Sequence, residues 1–208
     1  MHPGEMPIRP GHAAGRGDER SPNAAGNRTV ALGGGQVLNV RSIRRGDAPK
    51  LGCLYEHLSL EDRYHRFFSV YQPSCDVLDH MASVGEESGC GLVAVVTDPS
   101  GEEEIVGEAS CTGLPNGNGE FGITIASSWR GWLGPFLLDA LVEAAAARGV
   151  PNLEADIMME NTKMLALVRA RGCVTVARPD RGIIRVAIGA AAPVDANPAG
   201  LAIRSVSI

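Results

Sequence analysis

The stretch that decides the reading runs from Glu120 to Gly149: EFGITIASSWRGWLGPFLLDALVEAAAARG. Its first part, EFGITIA (120–126), has the composition of a strand and follows a turn signal, Asn116-Gly117-Asn118-Gly119. Its last part changes period. Leu137, Leu138, Leu141, Val142 and Ala145 fall on one helical face, and Gly149 closes the run. Between strand and helix lies Ser128-Trp129-Arg130-Gly131-Trp132-Leu133-Gly134-Pro135-Phe136. Glycines at such a junction let the backbone turn tightly and expose several N–H groups. Together with the positive end of the helix dipole, those donors suit a pyrophosphate. Glycine placed there for steric reasons alone gives the same spacing.

Outward from this junction the order of elements is clear. Towards the N-terminus, GLVAVVTD (91–98) and EIVGEASCT (104–112) read as a hairpin around Asp98-Pro99-Ser100-Gly101, with Glu102, Glu103 and Glu104 solvated at its tip. VLNVRSI (37–43) is an earlier strand. Asp47 with Pro49 opens a helix, Ser59 opens a second over SLEDRYHRFF, and a third covers 74–84. Towards the C-terminus, LEADIM (153–158) is a strand, and Asn161 caps a helix carrying Met164, Leu165 and Val168. CVTVA (173–177) and GIIRVAI (182–188) form a last hairpin. The expected class is α+β: a mixed, mostly antiparallel sheet of about six or seven strands with helices on both faces. Residues 1–36, rich in Gly, Pro and Arg, read as a disordered tail and 37–188 as the folded domain. Residues 189–208 read as an Ala/Pro linker with a terminal segment, LAIRSVSI, able to add an edge strand.

Composition narrows the function. The 208 residues carry 19 Lys and Arg against 24 Asp and Glu, a formal net charge of -5. That balance opposes a whole-domain electrostatic nucleic-acid binder. No apolar run approaches the ~18 residues of a membrane helix, and no apolar leader opens the chain, so the expectation is a cytoplasmic protein with neither membrane nor nucleic-acid partner. The five cysteines are odd in number and lack a C-x-x-C pair. They read as reduced, buried thiols, and the histidines show no metal-ligand spacing.

The junction resembles the acetyl-coenzyme A signature of the GNAT superfamily of N-acetyltransferases, a loop of the form Q/R-x-x-G-x-G/A. Arg130, Gly131 and Gly134 match it in character, although WRGWLG is one residue shorter than the usual W-Q-G-R-G-L-G and Pro135 lacks an N–H. The helix, strand and helix that follow, and the element order over roughly 37–188, are similar to that family. VRSIRRGDAPKLGCLYEHLSLEDRYHRFFS further resembles the opening of the acetyltransferase domain of bacterial protein-lysine acetyltransferases.

The resemblance implies acetyl-CoA as cosubstrate, held by Ile125, Arg130, Gly131, Trp132, Leu133, Gly134, Phe136 and Asn161. It implies an amine acceptor, a protein lysine first and a small amine second; a coenzyme-sensing module without turnover is the remaining reading. A lysine amine, with a pKa of about 10.4, must lose its proton before attack. Glu120 is the one acid in 120–138 and matches the family's proposed general base. Glu108 on the neighbouring strand is a second candidate, though a cross-strand surface charge explains it better. Asn161 serves equally as a helix cap. Arg63 and Arg66 either frame the acceptor entrance or pair with helix acids. Val168 stands where many GNAT enzymes carry a Tyr that protonates the leaving thiolate.

Overall fold

The computed structural model describes residues 25–84, 89–177 and 179–190. Thirteen elements matter here. The strands are β1 (Arg28–Ala31), β2 (Val37–Ser42), β3 (Cys90–Thr97), β4 (Glu103–Gly113), β5 (Gly119–Ile125), β6 (Asn152–Met158), β7 (Val174–Thr175) and β8 (Ile183–Gly189). The helices are α1 (Ala48–Glu56), α2 (Leu60–Phe67), α3 (Cys75–Ser83), α4 (Leu133–Ala146) and α5 (Thr162–Arg169). The eight strands form one sheet in the order β1-β2-β3-β4-β5-β6-β8-β7, antiparallel throughout except for β5 and β6.

Two apolar layers hold this sheet. On one face, Leu133, Leu137, Leu138 and Leu141 of α4, with Leu165 and Val168 of α5, bury themselves against Leu38, Leu92, Val106, Phe121, Leu153 and Val186. On the other, Leu51, Leu54 and Tyr55 of α1 pack on Ile43, Val93, Val95 and Ile105, joined by Ala82 of α3. Helices therefore lie on both faces, as the sequence order requires. α2 differs: it contributes no buried residue. Its ends are nonetheless set locally. The Ser59 hydroxyl accepts the Asp62 N–H at 3.1 Å, and Phe68, at φ 54°, terminates the helix in the left-handed region.

Three expectations change. The sheet has eight strands among the described residues, because β1 lies inside the stretch whose composition reads as a tail. It pairs antiparallel with β2, Arg28 opposite Val40 and Ala31 opposite Val37. Asp47 precedes α1 but does not cap it with its side chain; its carboxylate takes both Arg41 guanidinium nitrogens, at 2.7 and 2.9 Å, and the Arg44 N–H. The thiols are not uniformly buried, since Cys53 and Cys75 are exposed. The terminal segment 201–208 lies outside the described residues. No helix among those described is long and apolar enough to cross a membrane.

Candidate active site

β5 and β6 run side by side only briefly. Their ladder consists of Gly119 opposite Leu153 and Glu120 opposite Glu154, and beyond that point the strands part. The direction of the freed backbone groups follows from alternation. The Ala126 N–H donates to Val106 O of β4 at 2.9 Å, so Thr124 and Gly122 also face β4. Ile123 and Ile125 then turn their N–H and C=O groups into the opening. Both helices that follow these strands, α4 after β5 and α5 after β6, begin at the open end of the fork. Two positive helix ends thus flank one slot lined by strand backbone.

The glycine loop forms the wall on the β5 side. The Trp129 N–H closes a tight turn onto Ala126 O, Arg130 is extended, and Gly131 adopts φ 102°, which a side chain would strain. α4 then starts at Leu133, one turn earlier than its apolar periodicity indicates, so Gly134 and Pro135 lie inside its first turn. The N–H groups of Gly131 and Trp132, on the accessible part of the loop, have no acceptor among the described residues; Leu133 and Gly134 are buried, and the Phe136 N–H bonds Trp132 O. Two accessible amides beside the positive end of a helix are donors of the kind that suit an anion.

The side chains around the cradle are engaged elsewhere. Trp132 stacks edge-on between Trp129 and Phe136, and the Arg28 guanidinium lies 4.9 Å from the Phe136 ring centre while donating to Phe136 O. Phe136 also packs, half-buried, on the main core. Arg130 pairs with Asp62 of α2 at 2.7 Å. Burial would raise the Asp62 pKa, but hydrogen bonds from Arg130 and from Ser59 outweigh it and hold the carboxyl below its ordinary range. Asn161 caps α5, its side-chain oxygen accepting the Met164 N–H at 3.1 Å.

Glu120 sits where the fork closes, exposed, on the sheet face that α2 overlies. Next on that face is Gly122, and its lack of a side chain is used: a Cβ there would stand 2.5 Å from the Arg66 guanidinium carbon. Glu108 does not meet the expectation of a surface charge. It is 1% exposed, accepts the Tyr55 hydroxyl at 3.0 Å and faces Arg66 at 3.5 Å. Burial first, and the Glu108 carboxylate second, push the Tyr55 phenol well above its usual range, so it stays a donor. The cause of the burial is a bulge. Ala94 pairs with Gly107 and Val95 with Ile105, so Val106 is an extra residue that shifts the phase of β4. Glu108 and Glu120 lie four residues apart along the strand direction, about 13 Å at ~3.3 Å per residue, and do not share one proton-transfer position. Val168 is wholly buried beside Leu165. Among the described residues no group of His, Cys, Asp and Glu is placed to hold a metal ion.

No protein-family profile matches the chain. Solved structures do. The GNAT domain of S. lividans PAT superposes with a TM-score of 0.68 at 22% identity, covering 80% of this chain and 98% of that one. A GNAT superfamily phosphinothricin acetyltransferase from Sinorhizobium meliloti, in complex with AcCoA, gives 0.59 at 19% identity over 73% and 88%. Spermidine N-acetyltransferase from Vibrio cholerae, in complex with CoA and spermine, gives 0.57 at 18% over 73% and 95%. The chain therefore has the GNAT fold, the architecture of these acetyltransferases. At these identities the likeness carries the fold; the chemistry rests on this chain's own fork, loop and acids.

Proposed function

We propose that the chain is an acetyl-CoA-dependent N-acetyltransferase with an amine acceptor, a protein lysine rather than a small amine. The observation that carries it is the coincidence of two independent features at one place: a strand pair that opens to expose Ile123 and Ile125 backbone groups, and a glycine loop whose Gly131 and Trp132 amides are accessible and without an acceptor among the described residues, at the start of α4. The two acetyltransferases with AcCoA or CoA bound share this fold and support the coenzyme assignment.

In this reading the Gly131 and Trp132 amides, with the positive end of α4, hold the pyrophosphate, and the pantetheine arm lies in the fork with Asn161 on its other side. The Ile125 N–H polarises the thioester carbonyl. Glu120 takes the proton from the acceptor ammonium, directly or through one water, and the freed amine attacks the acetyl carbon. The C–N bond forms, the C–S bond breaks, and the sulfur leaves as thiolate. A thiol of ordinary pKa near 8.5 leaves without an acid on α5, which suits a valine at 168.

Calorimetry with acetyl-CoA followed by a thiol-release assay tests this. Gly131→Ala, forcing a Cβ onto φ 102°, is expected to lower acetyl-CoA affinity by about tenfold or more, at a strain of ~1–2 kcal/mol. Gly134→Ala is the control: its Cβ would meet Leu167 Cδ2 at 3.7 Å, an ordinary contact, and affinity should stay within a small factor. Equal affinity for wild type and Gly131→Ala would take the cradle out of the site. Coenzyme binding without thiol release on any amine would favour a sensing module.

A further inference from the structure

On the face carrying Glu120, α2 reaches Gly122, and the register lays out two rows beyond it. Glu120 of β5, Glu154 of β6, Ala187 of β8 and Val174 of β7 form one row. Asp156, Arg185 and Val176 form the next; Val176 follows β7, and its N–H donates to Arg185 O at 2.9 Å. The rows are graded in chemistry. At the inner end Asp156 is neutralised by Arg185, Nε to Oδ1 at 2.7 Å. Glu154 accepts the side-chain amides of Asn116 and Asn118, and Glu120 is exposed; neither carboxylate has an ion-pair partner among the described residues. At the outer end Val174 is 62% and Val176 51% exposed, next to half-buried Ala187. β7 is the last strand in the sheet order among the described residues.

Three strand spacings separate Glu120 from Val174, about 14 Å at ~4.8 Å each. A molecule that satisfies both ends carries an amine at one and an apolar group at the other. A polyamine fits poorly, because its distal ammonium would stay hydrated beside valines that offer no countercharge and would leave their exposed apolar surface uncovered. A lysine in an extended segment fits. Its ammonium reaches Glu120, its backbone crosses β6 and β8, and a neighbouring apolar side chain covers Val174 and Val176. We infer that this face is the acceptor-recognition surface, and that the partner is a protein segment presenting a lysine with a bulky apolar residue within a few positions of it. The inference rests on the acetyltransferase reading above.

The test uses the full chain and two nine-residue peptides, each with a central lysine, differing only in leucine or serine flanking it; spermidine and n-butylamine complete the set. Thiol release is measured for wild type, Val174→Ser/Val176→Ser and Val174→Thr/Val176→Thr, the last preserving strand propensity. Wild type should give a kcat/KM about tenfold higher for the leucine peptide, since even partial burial of a leucine is worth that factor, and the difference should lie in KM. Both double variants should lose the preference while acetyl-CoA affinity and n-butylamine turnover stay unchanged. Fluorescence anisotropy of labelled peptides in the presence of CoA reads the same preference as binding. Equal use of the two peptides, a preference for spermidine, or a leucine preference that survives both variants would overturn the surface. Absence of acetyl-CoA binding, or of thiol release with every amine including n-butylamine, would instead overturn the acetyltransferase reading beneath it.

Discussion

At the scale of single residues, the proposed chemistry turns on which of two acids faces the acceptor. Glu120 is exposed at the closing point of the fork, and Glu108 is committed to Tyr55 and Arg66 behind Gly122. Glu120→Gln keeps volume and hydrogen bonding but cannot take a proton. Turnover at pH 7 is expected to fall by roughly 10²–10⁴, with acetyl-CoA affinity nearly unchanged. The deficit should shrink towards pH 10, where more of a lysine acceptor is already neutral. Steady-state rates from pH 7 to 10 check both parts; a Gln variant with wild-type turnover at pH 7 would remove Glu120 from the mechanism. The sequence offers Glu120 as a candidate because it is the one acid between the turn at 116–119 and the helix. The burial of Glu108 was not. A bulge adds one residue to β4, and nothing in EIVGEASCT marks Val106 as that residue. With strict alternation from Ile105, which packs under α1, Glu108 would point to the opposite face.

Among the elements, α2 is the one whose attachment the sequence does not disclose. Its Ser59 cap reads directly from SLEDRYHRFF, while Leu60, Tyr64 and Phe68 are exposed. One aromatic contact, Phe67 against Tyr55 with ring centres 5.3 Å apart, and a set of polar ones place the helix: Asp62 on Arg130 of the glycine loop, Arg66 on Glu108, and His65 3.9 Å from Glu160 before α5. These partners are far away in the chain, so no local pattern announces them. The Asp62–Arg130 pair ties α2 to the cradle, and its pH dependence has a definite sign. A carboxyl whose pKa is lowered on folding contributes stability above its unfolded pKa of about 3.9 and loses it as pH falls through the folded value. Hydrogen exchange of the α2 amides should therefore be protected at pH 6 and accelerate below about pH 4, beyond the intrinsic pH effect. Asp62→Asn should show the faster exchange already at pH 6. Identical protection in wild type and Asp62→Asn at pH 6 would mean that the ion pair does not hold the helix.

For the molecule as a whole, the order of strands and helices was readable because each has a strong period or a turn signal at its ends. β1 was not, because four residues, RTVA, sit in a stretch dominated by Gly, Asn and Ala. What makes them a strand comes from across the fold. Arg28 donates to Phe136 O at 2.9 Å and to Glu143 at 2.8 Å on α4, and Val30 and Leu32 pack on the main core. Gly26, at φ 81°, lies so close to α4 that a Cβ would stand 2.4 Å from Ala140 O. The N-terminal stretch is therefore divided in its contribution. Removing residues 1–24 takes away none of these contacts and should leave the unfolding midpoint unchanged. Removing residues 1–35 takes away β1, uncovers the β2 edge and exposes part of the α4 core; a loss of about 1–3 kcal/mol is expected, in the range of other core and buried-pair disruptions. Arg28→Ala should fall between them, since it removes the α4 bonds and the stacking on Phe136 but keeps the strand. Because Phe136 stacks on Trp132 of the glycine loop, the longer deletion should also weaken acetyl-CoA binding, although β1 touches no part of the fork. Denaturant unfolding and calorimetry on the two truncations separate these effects. Equal stability for both would show that β1 is a passenger on the sheet edge and that the loop is fixed by α4 alone.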